Sequence, residues 1–145
     1  MPDATTTTAA VRVTGVDRIF AVKGGAPVTA LTGVDLTVAP GEFVSLIGPS
    51  GCGKSTLLRL IADLDAPTSG AIEVFGTPAH TARARRGYGI AFQKAALLPW
   101  RTVSGNIELP LQLHGIDRRA RADRVAELLD LIGLSDFGGH FPDQL

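Results

Sequence analysis

The chain has 145 residues, 45% of them hydrophobic, with 14 Lys and Arg balanced by 14 Asp and Glu. That is one ordinary domain's worth of material with apolar side chains enough for a core, and its zero formal net charge excludes a nucleic-acid binder that works through a broad basic field. The single cysteine, Cys52, excludes an intramolecular disulfide and fits a reducing, cytosolic setting, and no apolar run is long enough to cross a bilayer, so membrane association would come through a partner.

Residues 1–10 carry the threonine run Thr5–Thr8 and no apolar stretch, the pattern of a disordered tail and not of a signal peptide. Val11–Val16 alternates, and Leu31–Val38 alternates again through Val34, Leu36 and Val38, which predicts two half-exposed antiparallel strands around a turn at Lys23–Pro27. Pro40-Gly41 breaks the chain before Phe43–Ile47, a short apolar run bounded by Gly41 and Gly48, which predicts a parallel strand buried on both faces. A helix follows, its apolar positions at Leu57, Leu58, Leu60, Ile61 and Leu64. Pro67–Gly70 is expected as a loop, Ala71–Phe75 as a strand, Gly76–Pro78 as a turn and Tyr88–Phe92 as a further short strand.

From Thr102 onward the pattern is helical. Asp117 is the expected N-cap of a helix with the apolar face Val125, Leu128, Leu129 and Ile132 and with Gly133 as its stop. Arg118, Arg119, Arg121 and Arg124 are its expected solvated side, and Arg83, Arg85 and Arg86 form a local cluster of the kind found on solvated loops or strand ends. His80, His114 and His140 are scattered without metal spacing, and no internal repeat stands out.

Between the apolar run and the helix lies Gly48-Pro49-Ser50-Gly51-Cys52-Gly53-Lys54-Ser55-Thr56, which matches the phosphate-binding pattern G-x-x-x-x-G-K-[ST] in the strand-to-helix context that the pattern requires. Glycines at 48, 51 and 53 open backbone conformations closed to residues with a Cβ, so that successive N–H groups can face the α- and β-phosphates. The anion would rest on the helix N-terminus, where unpaired amides and the helix dipole favour negative charge. Lys54 is placed to reach the β- and γ-phosphates, the Ser55 hydroxyl to bind Mg²⁺ and Thr56 to donate to the α-phosphate. Cys52 is a small filler of this loop, open to alkylation or oxidation when the loop holds no nucleotide.

Taken in order, Gly41-Glu42-Phe43 before the loop, the Leu57–Ala62 helix, Pro67–Gly70, Phe92-Gln93 and Phe141–Leu145 resemble the ATP-binding subunit of an ABC transporter, over about Val11 to Leu145. The resemblance implies a P-loop NTPase (RecA-like) α/β core with an antiparallel β subdomain and the start of a helical subdomain. Residues 11–94 would form the nucleotide-binding part and 95–145 the helical one. It implies ATP and Mg²⁺ as ligands, transmembrane permease subunits and a second ATP-binding subunit as partners, no nucleic acid, no direct membrane span, and a cytoplasmic place on the inner face of the cell membrane through the permease.

Phe20 matches the aromatic residue that stacks on adenine in this family, and it would equally serve as an ordinary hairpin core residue. Gln93 matches the glutamine that touches Mg²⁺ or the attacking water; an amide suits this because it both accepts and donates. Lys54 and Gln93 are thus the candidate catalytic residues, and Ser55 and Gln93 the candidate Mg²⁺ ligands. Ala95–Val103, with Leu97, Leu98, Trp100 and Arg101, is similar to a segment of nitrate, sulfonate and taurine importers in the region that receives the coupling helix of the membrane subunit. Leu97 and Leu98 fit the core of a helical subdomain as well.

Asp63 stands where relatives usually carry glycine, and Gly105 where an acidic residue is common. Phe141–Leu145 is the run that in the family leads into the Ser-Gly-Gly-Gln signature. The parts that carry hydrolysis, namely signature, acidic strand with catalytic glutamate and switch histidine, are not in the chain, so the resemblance implies an N-terminal portion inactive by itself. It also implies a bare apolar strand edge. Two alternatives are a non-catalytic nucleotide-binding or regulatory module and a soluble ABC ATPase.

Overall fold

Two glycines organise the first sheet. In the computed structural model, which describes residues 8–93 and 97–145, β1 (Val11–Phe20) and β2 (Val28–Val38) pair antiparallel from Val11 opposite Val38 to Phe20 opposite Val28. Thr14-Gly15-Val16-Asp17 on β1 and Thr32-Gly33-Val34-Asp35 on β2 are the same four residues, and Val16 lies opposite Val34. Gly15 and Gly33 adopt φ of 54° and 55°. The Gly15 N–H donates to the Asp35 carboxylate at 2.8 Å, and the Gly33 N–H to the Asp17 carboxylate at 2.6 Å. The result is a pair of reciprocal bulges, each filled by the carboxylate of the other strand. A bulge resets the alternation of a strand, which is why Val13 and Val16, three apart, are both buried.

β3 (Ser69–Val74) adds antiparallel on the other edge of β1, followed by the two-residue β4 (Thr77–Pro78), giving the order β2-β1-β3-β4. Gly70, at φ 84°, passes so close to β1 that a Cβ there would run into the carbonyls of Thr14 and Gly15. Under the sheet lie α1 (Lys54–Ile61) and α2 (Ala79–Ala84), and the shared core is Val13, Val16, Leu31, Leu57, Leu60, Ile72, Val74, Ala79 and Ala82. On α1, Leu57 and Leu60 are buried and Ile61 packs against the core, whereas Leu58 and Leu64 are exposed: a stripe at i, i+3 and i+4 leaves position 58 off the face. Ahead of β1, Ala9 is buried and Ala10 bonds both Val38 and Phe75 through its backbone, so the expected tail is ordered at its end. Residues 1–7, with most of the threonine run, lie outside the described residues, as do Ala95 and Ala96.

Two expected strands do not form. Phe43–Ile47 has no regular secondary structure and no ladder partner among the described residues; Leu46 packs against the core, but Phe43 and Ile47 are 92% and 94% exposed. Tyr88–Phe92 likewise pairs with nothing described, with Ile90 and Phe92 exposed and Tyr88 alone packed on the core. Both runs have the composition of parallel strands buried on two faces, and such strands need neighbours on each side.

The contacts divide the chain into two compact units, residues 1–90 and 91–145. The second is an α-hairpin of α3 (Val103–Leu113) and α4 (Arg118–Leu131), closed around Val103, Val125 and Leu129, with Ile107, Leu111 and Leu134 against them. Asp117 caps α4 as expected, accepting from the N–H groups of Arg119 and Ala120, and Gly133 ends it at φ 70°. Leu128 is half-buried and Ile132 exposed, so the apolar face is narrower than its spacing suggested. Arg121 also departs from expectation: its guanidinium pairs with Glu108 of α3 at 2.7 Å and donates to the Ile116 carbonyl, tying the hairpin together. The α3 amides at Val103 and Ser104 donate to the carbonyls of His140 and Gly138, so the last loop caps that helix. A Cβ on Gly138 would lie 2.6 Å from the Ser104 hydroxyl, which would have to turn aside.

Candidate functional site

The loop Gly48–Thr56 enters α1 through Gly53, which is the N-cap residue at φ 93°. A left-handed conformation suits glycine, and space demands it a second time: a Cβ on Gly53 would sit 2.7 Å from the Ala30 carbonyl and 2.7 Å from Leu31 Cδ2 of β2. Gly51 is also left-handed, at φ 82°, and faces open space. Gly48, contrary to expectation, is not left-handed; a Cβ there would meet the Cys52 sulfur at 2.9 Å, so that side chain would have to shift. The hairpin thus sets how closely the loop approaches, and Ala30 and Leu31 enter the construction of the site unannounced by any motif.

No side chain caps α1, and no acidic residue lies in its first turn. The first amides of a helix have no partner inside it, so those of Lys54, Ser55 and Thr56 face outward with the positive end of the helix dipole. Lys54 curls back over the loop, its ammonium donating to the carbonyls of Gly48 and Pro49 at 2.7 Å each and lying 3.3 Å from the Cys52 sulfur. Ser55 is exposed and Thr56 half-buried. Exposed amides, one cation inside the loop and a free hydroxyl are a donor set for a polyphosphate with its divalent ion.

The other candidate residues are less gathered. Phe20 ends β1, 36% exposed, with the Arg18 guanidinium 4.4 Å over its ring; Arg18 in turn pairs with Asp65 at 2.7 Å. One face of the ring is therefore already stacked on a cation. Gln93 is exposed in a bend that belongs to the second unit. Asp63 does adopt the left-handed conformation, φ 47°, and gains an ion pair to Arg83 at 2.7 Å, so one member of the arginine cluster is engaged. Arg101, expected as an interface cation, folds back to the Gly105 carbonyl at 3.1 Å. Leu97 and Trp100 stand out at 44% and 72% exposure, while Leu98 is half-buried. Among the described residues, no cluster of His, Cys, Asp and Glu could hold a metal ion, and no helix is long and apolar enough to cross a membrane.

The family model for ABC transporters matches residues 31–144. The chain belongs to the ABC transporter family. Its fold is the α/β ABC ATPase domain with its antiparallel β subdomain. The ATP-binding cassette MJ0796, solved as a dimer in a post-hydrolysis state bound to ADP and Pi, superposes with a TM-score of 0.80 at 34% identity, over 93% of this chain and 62% of that one. The methionine import ATP-binding protein MetN of Corynebacterium glutamicum is 44% identical over 90% of this chain and 38% of its own length. The nitrate import ATP-binding protein NrtD of Synechocystis is 44% identical over 92% of this chain and 49% of its own. The sulfate/thiosulfate import ATP-binding protein CysA 2 of Chromobacterium violaceum is 52% identical over 81% and 32%. The chain spans between about a third and a half of these curated relatives.

Proposed function

We propose that the chain supplies the triphosphate-binding part of the ATP-binding subunit of an ABC importer, which in its whole form hydrolyses Mg·ATP to drive solute uptake. The observation that carries this reading is the Gly48–Thr56 loop with Lys54 folded inside it and uncapped helix amides beneath. In this role the amides of 51–56 would bind the phosphates, Lys54 would exchange its two carbonyl partners for the β- and γ-phosphates, and Ser55 would hold Mg²⁺, with Gln93 of the second unit as the other candidate ligand. Phe20 stacks on the base with its far face backed by Arg18. Bound Mg²⁺ would supply charge neutralisation on the phosphoryl oxygens. Most of what this loop does is ground-state binding, and turnover also needs the nucleophile positioned and charge neutralised in the transition state.

The partners belong to the same proposal: a second ATP-binding subunit, and permease subunits that dock on Leu97 and Trp100. Relatives of similar identity are named for methionine, nitrate and sulfate, three chemically unlike solutes. What they share with this chain is accordingly the handling of nucleotide. The solute class, nitrate-, sulfonate- or taurine-like, rests on the resemblance of the Ala95–Val103 segment alone.

Calorimetric titration with Mg·ATP tests the loop. Lys54→Ala removes charge-assisted bonds worth about 1.5–3 kcal/mol, so affinity is expected to fall roughly 10- to 150-fold. Equal heats and equal thermal stabilisation by Mg·ATP in the variant and the parent would refute the assignment.

A further inference from the structure

The turn ahead of α3 is built on one side-chain amide. Leu98–Arg101 is a β-turn closed by the Arg101 N–H donating to the Leu98 carbonyl at 3.1 Å. Pro99 occupies the position that its fixed φ favours, and Trp100 stands at the tip. From within α3, Asn106 reaches back to this turn. Its Oδ1 accepts from the Leu98 N–H at 2.7 Å, and its Nδ2 faces the carbonyls of Leu98 at 3.1 Å, Arg101 at 3.1 Å and Thr102 at 3.0 Å. Two protons serve three acceptors, so at least one bond is shared. Leu98 thereby has both its backbone groups paired to a single amide, as a ladder partner in a sheet would pair them. Asparagine is a poor residue inside a helix because its amide competes for backbone groups. Here that competition is directed onto the preceding turn.

We propose that Asn106 is the positioning residue of the Leu97–Thr102 surface, holding the turn so that Leu97 and Trp100 are presented in one arrangement to the membrane subunit. The proposal rests on the reading that this surface receives the permease. A turn ordered before the partner arrives avoids the cost of ordering it on contact. A role confined to supporting α3 leads to the opposite expectation for Asn106→Ala, since alanine is the better helix former and the helix would gain by the change.

Trp100 is the chain's only tryptophan, so its fluorescence reports this turn alone. In Asn106→Ala, acrylamide quenching of Trp100 is expected to rise and exchange of the Leu98 amide to quicken about tenfold, the equivalent of one lost hydrogen bond. Far-UV dichroism and Mg·ATP affinity are expected to hold at parental values. Asn106→Asp keeps the shape and the acceptor for the Leu98 N–H but loses both donors, so quenching should rise while the Leu98 amide stays protected; this second variant keeps the test decisive if the alanine variant folds poorly. Parental quenching in folded variants would overturn the proposal. Binding of co-expressed membrane subunits in detergent separates it from the reading beneath it. Loss of binding in both Trp100→Ala and Asn106→Ala supports both. Loss in Trp100→Ala alone overturns the role of Asn106 and leaves docking standing. Retention in both overturns docking itself.

Discussion

The β1–β2 ribbon and the Phe43–Ile47 segment are made of the same kinds of residue, and only the ribbon becomes sheet. Each ribbon strand has its partner a short turn away, and each bulge is filled by a carboxylate of the facing strand. Phe43–Ile47 has apolar residues enough but no neighbour among the described residues, and its outer face, Phe43 and Ile47, is bare. A strand is therefore a property of a pair. Alternation and β-branching state which face wants covering, and they are silent on whether a cover exists.

Three changes probe this contrast. The largest effect is expected inside the ribbon. Gly70→Ala forces an L-residue into φ 84° and drives a methyl into the Thr14 and Gly15 carbonyls, which should cost roughly 3 kcal/mol in urea unfolding; a loss below about 1 kcal/mol would show that β1 and β3 separate easily. Next comes acidity. The Ser69 hydroxyl first, and the Gly33 N–H second, hold the Asp17 carboxyl below its ordinary value against a smaller opposing push from burial. Its folded value lies below its unfolded one, so the stabilisation is present above about pH 4 and is lost as pH falls through the folded value. Urea midpoints measured from neutral to acidic pH should decline on that limb, and Asp17→Asn should flatten the decline. An identical acid limb in the variant would mean that other carboxylates dominate. The smallest effect on stability belongs to the bare segment. Phe43→Ser with Ile47→Ser should leave unfolding free energy within about 0.5 kcal/mol while lowering dye binding and light scattering, because an exposed apolar edge recruits other chains. A large destabilisation would mean that these side chains are covered in solution.

The phosphate loop was legible because its backbone constraints are local: left-handed conformations at Gly51 and Gly53 leave glycine in the sequence, whereas the packing of Gly53 against Ala30 and Leu31 leaves no sign there. Asp117, Gly133 and the two long strands were legible for the same reason. What could not be read depends on residues far apart. The Thr-Gly-Val-Asp pair is too short to stand out as a repeat, yet it is the clasp of the ribbon. Nothing near Arg121 announces Glu108 across the hairpin, so a solvated face was the natural expectation. Asn106 left one weak sign, a poor helix former in the middle of a helical run, whose meaning became plain only with its partners in place. Phe43–Ile47 and Tyr88–Phe92 have the look of central strands, and the neighbours that would make them so are not among the described residues.

The clasp of paired bulges has a consequence for the order of events as the chain is made. Its two bonds join residues 20 and 16 apart in sequence, and hairpins of such short reach close in about 1–10 μs. Synthesis at about 5–20 residues per second brings the ribbon out of the ribosome ahead of Gly48–Thr56 by an interval far longer than that closure time. In each molecule where the ribbon has closed by then, the glycine loop emerges onto a surface shaped by Ala30 and Leu31, a template older than the loop itself, and the later α1 and β3 lock both in place.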